Sequence, residues 1–230
     1  MKDRLIVALD VDSLDKAKKI VNKLYPVVKI FKVGNELFTS CGPDAVKMIH
    51  KKGAKVFLDL KYHDIPNTVA KAVKKAQSMG VFMLNVHASG GSSMMKAAKD
   101  AVSSKKLCLL AVTVLTSIDK PELKSLGIRK NPLNQVKHLA LLAKKSGMSG
   151  VVCSAWEARL IKKLCGKDFV VVTPGIRPKS SERSDQKRVA TPDYAISEGA
   201  DYIVVGRPIT LAKSPLDVAK SIVKEIEVLC

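Results

Sequence analysis

The sequence predicts an α/β protein folded as a closed (β/α)8 barrel, and three observations carry that prediction. Apolar runs of strand length alternate with amphipathic helical patterns eight times along the chain, and strict alternation of this kind implies parallel strands joined by right-handed crossovers. The 230 residues suffice for one full core and fall slightly under the usual length of such a barrel. No G-x-G-x-x-G follows the first strand, which counts against the doubly wound open sheet, the other fold this alternation allows. Residues 1–230 are therefore expected to form a single domain.

Each element has its own local reason. Arg4 to Asp10 is an apolar strand ending in an acid, and Ser13 is a plausible N-cap for a helix from Leu14 to Tyr25. Val27 to Val33 is the second strand, with Lys32 near its end before Gly34. Gly42 to Gly53 reads as a helix with a glycine stop, leading to a third strand from Lys55 to Leu60. Pro66 stops that strand, and Asn67-Thr68 leads into the helical pattern Val69, Ala70, Ala72, Val73, Ala76. Strand Val81 to His87, helix Ser92 to Val102 and strand Lys106 to Leu115 follow, then the Thr116-Ser117 loop and a helix from about Pro132 to Ser146. The last units are strand Gly150 to Cys153, helix Ala155 to Cys165, strand Phe169 to Val172, helix Tyr194 to Glu198, strand Tyr202 to Val205 and helix Leu216 to Leu229.

Composition narrows the function classes. The five cysteines are odd in number and lack C-x-x-C spacing, which argues against a disulfide framework or zinc site and fits a reducing cytoplasm. Met1 to Leu5 runs straight into a strand pattern, and no apolar run reaches 18 residues, so neither a cleaved signal nor a membrane span is expected. The net charge of +19 favours anionic ligands and tolerates nucleic acid nonspecifically. Aromatic content of 4%, with lysines spread over several helices, counts against specific RNA recognition.

The third strand concentrates the chemistry. Side chains alternate faces along a strand, so Asp59 and Lys61 share one face while Leu58 and Leu60 share the other. An exposed D-x-K ion pair is commonplace and contributes little. Here Val56, Phe57, Leu58 and Leu60 make the strand apolar on both faces, as in a covered parallel sheet, and charges in such a place persist only when paired or functional. Asp64 lies just past the strand end, and the first two strands deliver Asp10 and Lys32 to the same end. Lys61 is expected to be buried, and Asp59 on the same face opposes the desolvation that would drive its pKa down.

The far end of the chain has the composition of an anion site. In TIM barrels the loops after strands seven and eight commonly hold phosphate with backbone N–H groups and a helix N-terminus. Pro174-Gly175-Ile176-Arg177-Pro178 and Gly206-Arg207-Pro208-Ile209 occupy those two loops. Their glycines permit close backbone approach, and their arginines offer a planar fork. The polar stretch from Pro178 to Arg188 is read as an active-site lid in preference to a linker. His63, His87, Met94-Met95 and Trp156 are read as structural.

The run Asp59-Leu60-Lys61-Tyr62-His63-Asp64-Ile65-Pro66-Asn67-Thr68 resembles the D-x-K-x-x-D-I-P-N-T signature of the orotidine 5′-phosphate decarboxylases. The likeness extends through Ala8 to Asp10, Phe31 to Gly34, Asn85 to Ala88, Val112 to Ser117, P-G-I-R-P at 174–178, D-Q-x-x-V-x-T-P at 185–192 and V-G-R-P-I at 205–209. The resemblance implies decarboxylation of orotidine 5′-monophosphate to uridine 5′-monophosphate in pyrimidine synthesis, with no metal or organic cofactor, by a cytoplasmic homodimer with shared sites. It implies a catalytic set of Asp59 beside the departing carboxylate, Lys61 as the acid that protonates C6, Lys32, and Asp64 from the neighbouring subunit. Substrate contacts are implied for Asp10, Lys32, Asp59, Ile65, Thr68, Arg177, Gln186, Gly206 and Arg207, and for Thr116 with Ser117 as its alternative. Related 3-keto-gulonate-6-phosphate decarboxylases and hexulose-phosphate synthases share D-x-K-x-x-D but use a divalent metal, which makes metal dependence the discriminating property.

Overall fold

The computed structural model describes residues 3–104, 106–178 and 189–228. The described residues form a closed barrel in the sequential order β1 to β8, every neighbouring pair parallel. The first half comprises β1 (Leu5–Ala8), α1 (Leu14–Leu24), β2 (Ile30–Gly34), α2 (Asn35–Cys41), α3 (Pro43–Lys51), β3 (Lys55–Tyr62), α4 (Pro66–Ser78), β4 (Met83–His87) and α5 (Gly91–Asp100). The second comprises β5 (Cys108–Val112), α6 (Lys120–Ser125), α7 (Pro132–Lys145), β6 (Gly150–Val152), α8 (Ala155–Cys165), β7 (Val170–Thr173), α9 (Pro192–Ser197), β8 (Tyr202–Val205), α10 (Arg207–Thr210) and α11 (Pro215–Glu227).

Alternation along the strands sorts the apolar residues into two cores. Ile6, Ala8, Ile30, Phe57, Met83, Leu110, Val172 and Val204 fill the barrel interior. Their strand neighbours Leu5, Val7, Phe31, Val33, Val56, Leu58, Leu84 and Val171 face outward into a larger core shared with the helices. The interior is thus a stack of side chains rather than a pore. Arg4 ties the closing seam by donating to the carbonyls of Asp201 at 3.0 Å and Ala200 at 2.7 Å. The described cysteines are free thiols, and among the described residues no helix is long and apolar enough to cross a membrane.

The differences from the sequence-based expectation are local. A short helix, α2, precedes the expected one, and Gly42 at φ 55° turns the chain between α2 and α3. Pro66 opens α4 instead of merely ending the strand, because a proline at the first helical turn loses no hydrogen bond. The fifth strand stops at Val112, and Thr113 turns its hydroxyl to the Val152 carbonyl at 2.9 Å. Short helices α6 and α10 were absent from the pattern because four to six residues carry too little periodicity to register.

Gly150 opens β6 beside Val170, where a Cβ would run into the Val170 carbonyl oxygen. Backbone on the neighbouring strand cannot swing aside as a side chain could. Gly150→Ala is expected to destabilise the fold by roughly 2–3 kcal/mol, measurable as a lower urea midpoint with an unchanged slope.

Candidate active site

At the carboxyl ends of the strands lies a cavity of about 470 Å³, with Asp10, Lys32, Asp59 and Lys61 along one side and Arg177 and Arg207 among its further lining. The four charges form a continuous alternating chain. Lys32 Nζ lies 2.9 Å from Asp10 Oδ1 and 3.3 Å from Asp59 Oδ2, and Lys61 Nζ lies 2.8 Å from Asp59 Oδ1. Strand order explains the assembly: β1, β2 and β3 are consecutive neighbours, and Gly34 pairs with Asp59 across β2 and β3. A side chain at Gly34 would crowd the Lys32 ammonium and the Asp10 carboxylate, so glycine keeps that corner open.

Burial is uneven along this chain. Lys32 and Asp59 side chains are 11% and 10% exposed, whereas Lys61 is 30% and Asp10 54% exposed. The desolvation expected at Lys61 therefore falls on Lys32 and Asp59, because Lys61 stands one step nearer the mouth. Burial pushes the Asp59 pKa up, but the Lys32 charge, the Lys61 charge and hydrogen bonds from Lys61 and Asn85 together hold it below the usual carboxylate range. Burial likewise pulls Lys32 down, and the charges of Asp59 and then Asp10, with their hydrogen bonds, bring it above the usual lysine range.

The backbone departs from regular strand within this charge array. Pairing of β3 with β4 runs through Leu58–Leu84, then shifts before resuming at Tyr62–Val86. Within this bulge Lys61 has φ 50°, the one positive value among described non-glycine residues. Such a conformation costs a residue with a Cβ roughly 1–2 kcal/mol. Asn85 of β4, fully buried, fills the gap: its Oδ1 accepts from the Lys61 backbone N–H at 2.9 Å and its Nδ2 donates to Asp59 Oδ1 at 2.7 Å. Sequence reasoning passed over Asn85 as a site residue. Its signal was available as the one amide in the otherwise apolar run Met83-Leu84-Asn85-Val86.

The remaining expected residues divide into three groups. Thr116 and Ser117, Arg177, Gly206 and Arg207 all line the cavity, together with Asn35, which the sequence did not single out. Asp64, Ile65 and Thr68 do not: they lie exposed beyond β3, with Ile65 at 67% exposure and Asp64 Oδ1 accepting from the Ile65 N–H at 2.6 Å. Gln186 and the expected lid residues 179–188 lie outside the described residues. The flanks of that segment are tied together, Arg177 N–H donating to the Ala190 carbonyl at 2.9 Å and Ala190 N–H to the Gly175 carbonyl at 3.2 Å. His63 and His87 stack with ring centroids 5.6 Å apart, and burial, then His63 and Lys61, lowers the His87 pKa. Among the described residues no three His, Cys, Asp or Glu side chains converge on a metal-holding position.

Comparison with known proteins assigns the chain to a family. Residues 3–222 match the family described as orotidine 5′-phosphate decarboxylase/HUMPS. The chain belongs to that family. The orotidine 5′-phosphate decarboxylase of Moorella thermoacetica is 50% identical, covering 99% of this chain and 94% of its own length. That of Pseudoalteromonas translucida is 53% identical, with 97% of each covered. Among solved structures, the orotidine 5′-phosphate decarboxylase of Lactobacillus acidophilus superposes with a TM-score of 0.86 at 42% identity, over 97% of this chain and 99% of the other. Membership in the orotidine 5′-phosphate decarboxylase family, with such relatives along nearly the whole length, makes this chain a carboxy-lyase.

The charge array carries a pH signature. Asp59, depressed in the fold, contributes stability that is present above the unfolded carboxylate pKa of 3.8 and lost as pH falls through its folded value. Lys32, raised in the fold, contributes below the unfolded value of 10.5 and loses that contribution as pH rises through its folded value. Asp59→Asn removes the largest attraction that offsets Lys32 burial. In that variant the Lys32 pKa is expected to fall relative to the parent's, a change that NMR titration of the lysine side-chain carbons would detect.

Proposed function

We propose that this chain decarboxylates orotidine 5′-monophosphate to uridine 5′-monophosphate and CO2, as a step of pyrimidine synthesis in the cytoplasm, without metal or organic cofactor. The observation that carries the reading is the unbroken Asp10–Lys32–Asp59–Lys61 array opening into the cavity that Arg177 and Arg207 also line.

The chemistry needs such an array. Loss of CO2 from C6 leaves a carbanion in the plane of the pyrimidine, with no adjacent group to accept the electron pair. Stabilisation has to come from a fixed positive charge at that carbon. Asp59, ionised and anchored from several sides, sits beside the departing carboxylate, where repulsion is relieved as CO2 leaves. The Lys61 ammonium faces the developing carbanion and then gives its proton to C6, ending as a neutral amine. Because these groups are paired before substrate arrives, little reorganisation is needed during the reaction, which is the condition for a large electrostatic contribution. Asp10 and Lys32 serve the ribose, and Thr116 or Ser117 contacts the nucleotide.

Phosphate recognition supports turnover as well as affinity. Arg177, Gly206 and Arg207, with Gln186, hold the 5′-phosphate, and binding energy gained there stabilises the closed state that the transition state requires. Asp64, Ile65 and Thr68 act in the site of a second copy across a two-fold interface, a reading supported by their exposure and their absence from the cavity of their own chain. The family description also spans HUMPS members; a sugar-phosphate activity is separated from the proposed one by its metal dependence.

The direct test is a spectrophotometric assay for consumption of orotidine 5′-monophosphate after exhaustive chelation. Turnover is expected to survive chelation, and Lys61→Ala is expected to lower it by more than roughly a thousandfold while the melting temperature stays close to the parent's. An absolute Mg²⁺ requirement would sink the proposal, and near-normal turnover in the variant would displace Lys61 as the acid.

The shared site is tested by mixing two inactive variants. A dimer of one Lys61→Ala chain and one Asp64→Ala chain gathers both lesions into one site and leaves the other intact if Asp64 crosses the interface. Activity should then return on mixing. With subunit exchange verified by mass-tagged chains, a mixture that stays inactive would assign Asp64 to its own chain.

A further inference from the structure

We infer that Asn85 is a positioning residue for the decarboxylation, setting the aim of Lys61 and the charge state of Asp59 through the two ends of one carboxamide. The inference rests on the decarboxylase reading of the site. A backbone N–H can only donate, so the atom facing Lys61 N must be the amide oxygen, which leaves the –NH2 for the Asp59 carboxylate. The orientation is therefore fixed by chemistry, and both bonds have good hydrogen-bond distances, 2.9 and 2.7 Å. Asn85 is fully buried, so water cannot take its place at either end.

The two bonds act on different features of the same lysine. Lys61 is held at φ 50° inside the bulge of β3, where β4 supplies no regular ladder partner between Leu84 and Val86. The Asn85 oxygen stands in for that missing partner, and without it the Lys61 N–H loses its acceptor and the strained turn loses a restraint. Asp59 Oδ1 receives both the Asn85 amide and the Lys61 ammonium. The carboxylate that holds the head of Lys61 and the backbone that carries it are thus fixed by one side chain on the next strand.

Two substitutions separate the ends. Asn85→Leu removes both bonds at similar volume. Asn85→Asp keeps an acceptor for Lys61 N–H but sets a second carboxyl against Asp59. The charged and titratable groups around that position are Asp59 and Lys61 on β3, Lys32 on β2 through Asp59, and His87 at the end of β4 with His63 stacked on it. The facing residue on β5 is the apolar Leu110. Two carboxyls in hydrogen-bond contact cannot both ionise freely. When protonated, the new carboxyl donates to Asp59 and reproduces the amide; when ionised, it repels Asp59.

Asn85→Leu is expected to lower kcat by about a hundredfold, the scale of a small misplacement of a reacting group, and to strip the Lys61 amide of its protection from hydrogen exchange. Asn85→Asp is expected to show an alkaline loss of kcat that the parent lacks, activity recovering toward the parent's as pH falls. A purely structural role would lower the melting temperature of both variants without adding that limb to the pH profile. The inference is overturned if Asn85→Asp follows the parent's pH profile, or if folded Asn85→Leu keeps the parent's kcat. Failure of the parent enzyme itself to consume orotidine 5′-monophosphate is a separate result, and it would overturn both the decarboxylase reading and the role assigned to Asn85.

Discussion

The rest of the structure depends on one buried carboxylate. Asp59 lies at the rim of a barrel packed with aliphatic side chains, where an unpaired charge would cost several kcal/mol. It is tolerable only because an ammonium, Lys32, reaches it from β2, an amide, Asn85, from β4, and a second ammonium, Lys61, from two residues along its own strand. Those partners meet only if the second, third and fourth strands are adjacent, parallel and in register. Barrel closure and the charge array are therefore aspects of one arrangement. Each apolar layer below keeps the strands in register, and that register brings the charges together.

Local and long-range electrostatics do different work in this molecule. The array itself contains two carboxylates and two ammonium groups and is close to neutral. The chain as a whole carries +19. A broad positive field raises the local concentration and arrival rate of an anionic ligand but cannot distinguish one anion from another. Discrimination comes from the short, alternating spacing inside the cavity, where interactions are least screened by salt.

Much of this was legible in the sequence, for reasons that can be traced to particular residues. Burial on both faces makes parallel strands continuous apolar runs, so β8 was bounded correctly, and charges interrupting such runs, Asp59 and Lys61 in β3, stood out. The third dimension was harder to read. Asn85 is one amide in an apolar strand, and nothing in a linear pattern says that it faces a bulge on the preceding strand. Lys61 was expected to be buried because it sits in an apolar stretch, yet it lies in a bulge with positive φ and its side chain is partly exposed. The exposure of Asp64, Ile65 and Thr68 is a property of the folded chain, invisible to any local propensity.

The packed interior has a consequence for traffic. With Ile6, Ile30, Phe57, Met83 and Leu110 filling the barrel beneath the array, the described residues plug the barrel below the cavity. Under the proposed reading the nucleotide enters base first, and its phosphate comes to rest beside the exposed Arg207. In that reading the CO2 released above the packed floor finds its exit occupied by the nucleotide it was cut from. Departure of CO2 past the bound product, or together with it, becomes a question of order imposed by the plugged floor of the barrel, independent of how fast the bond breaks.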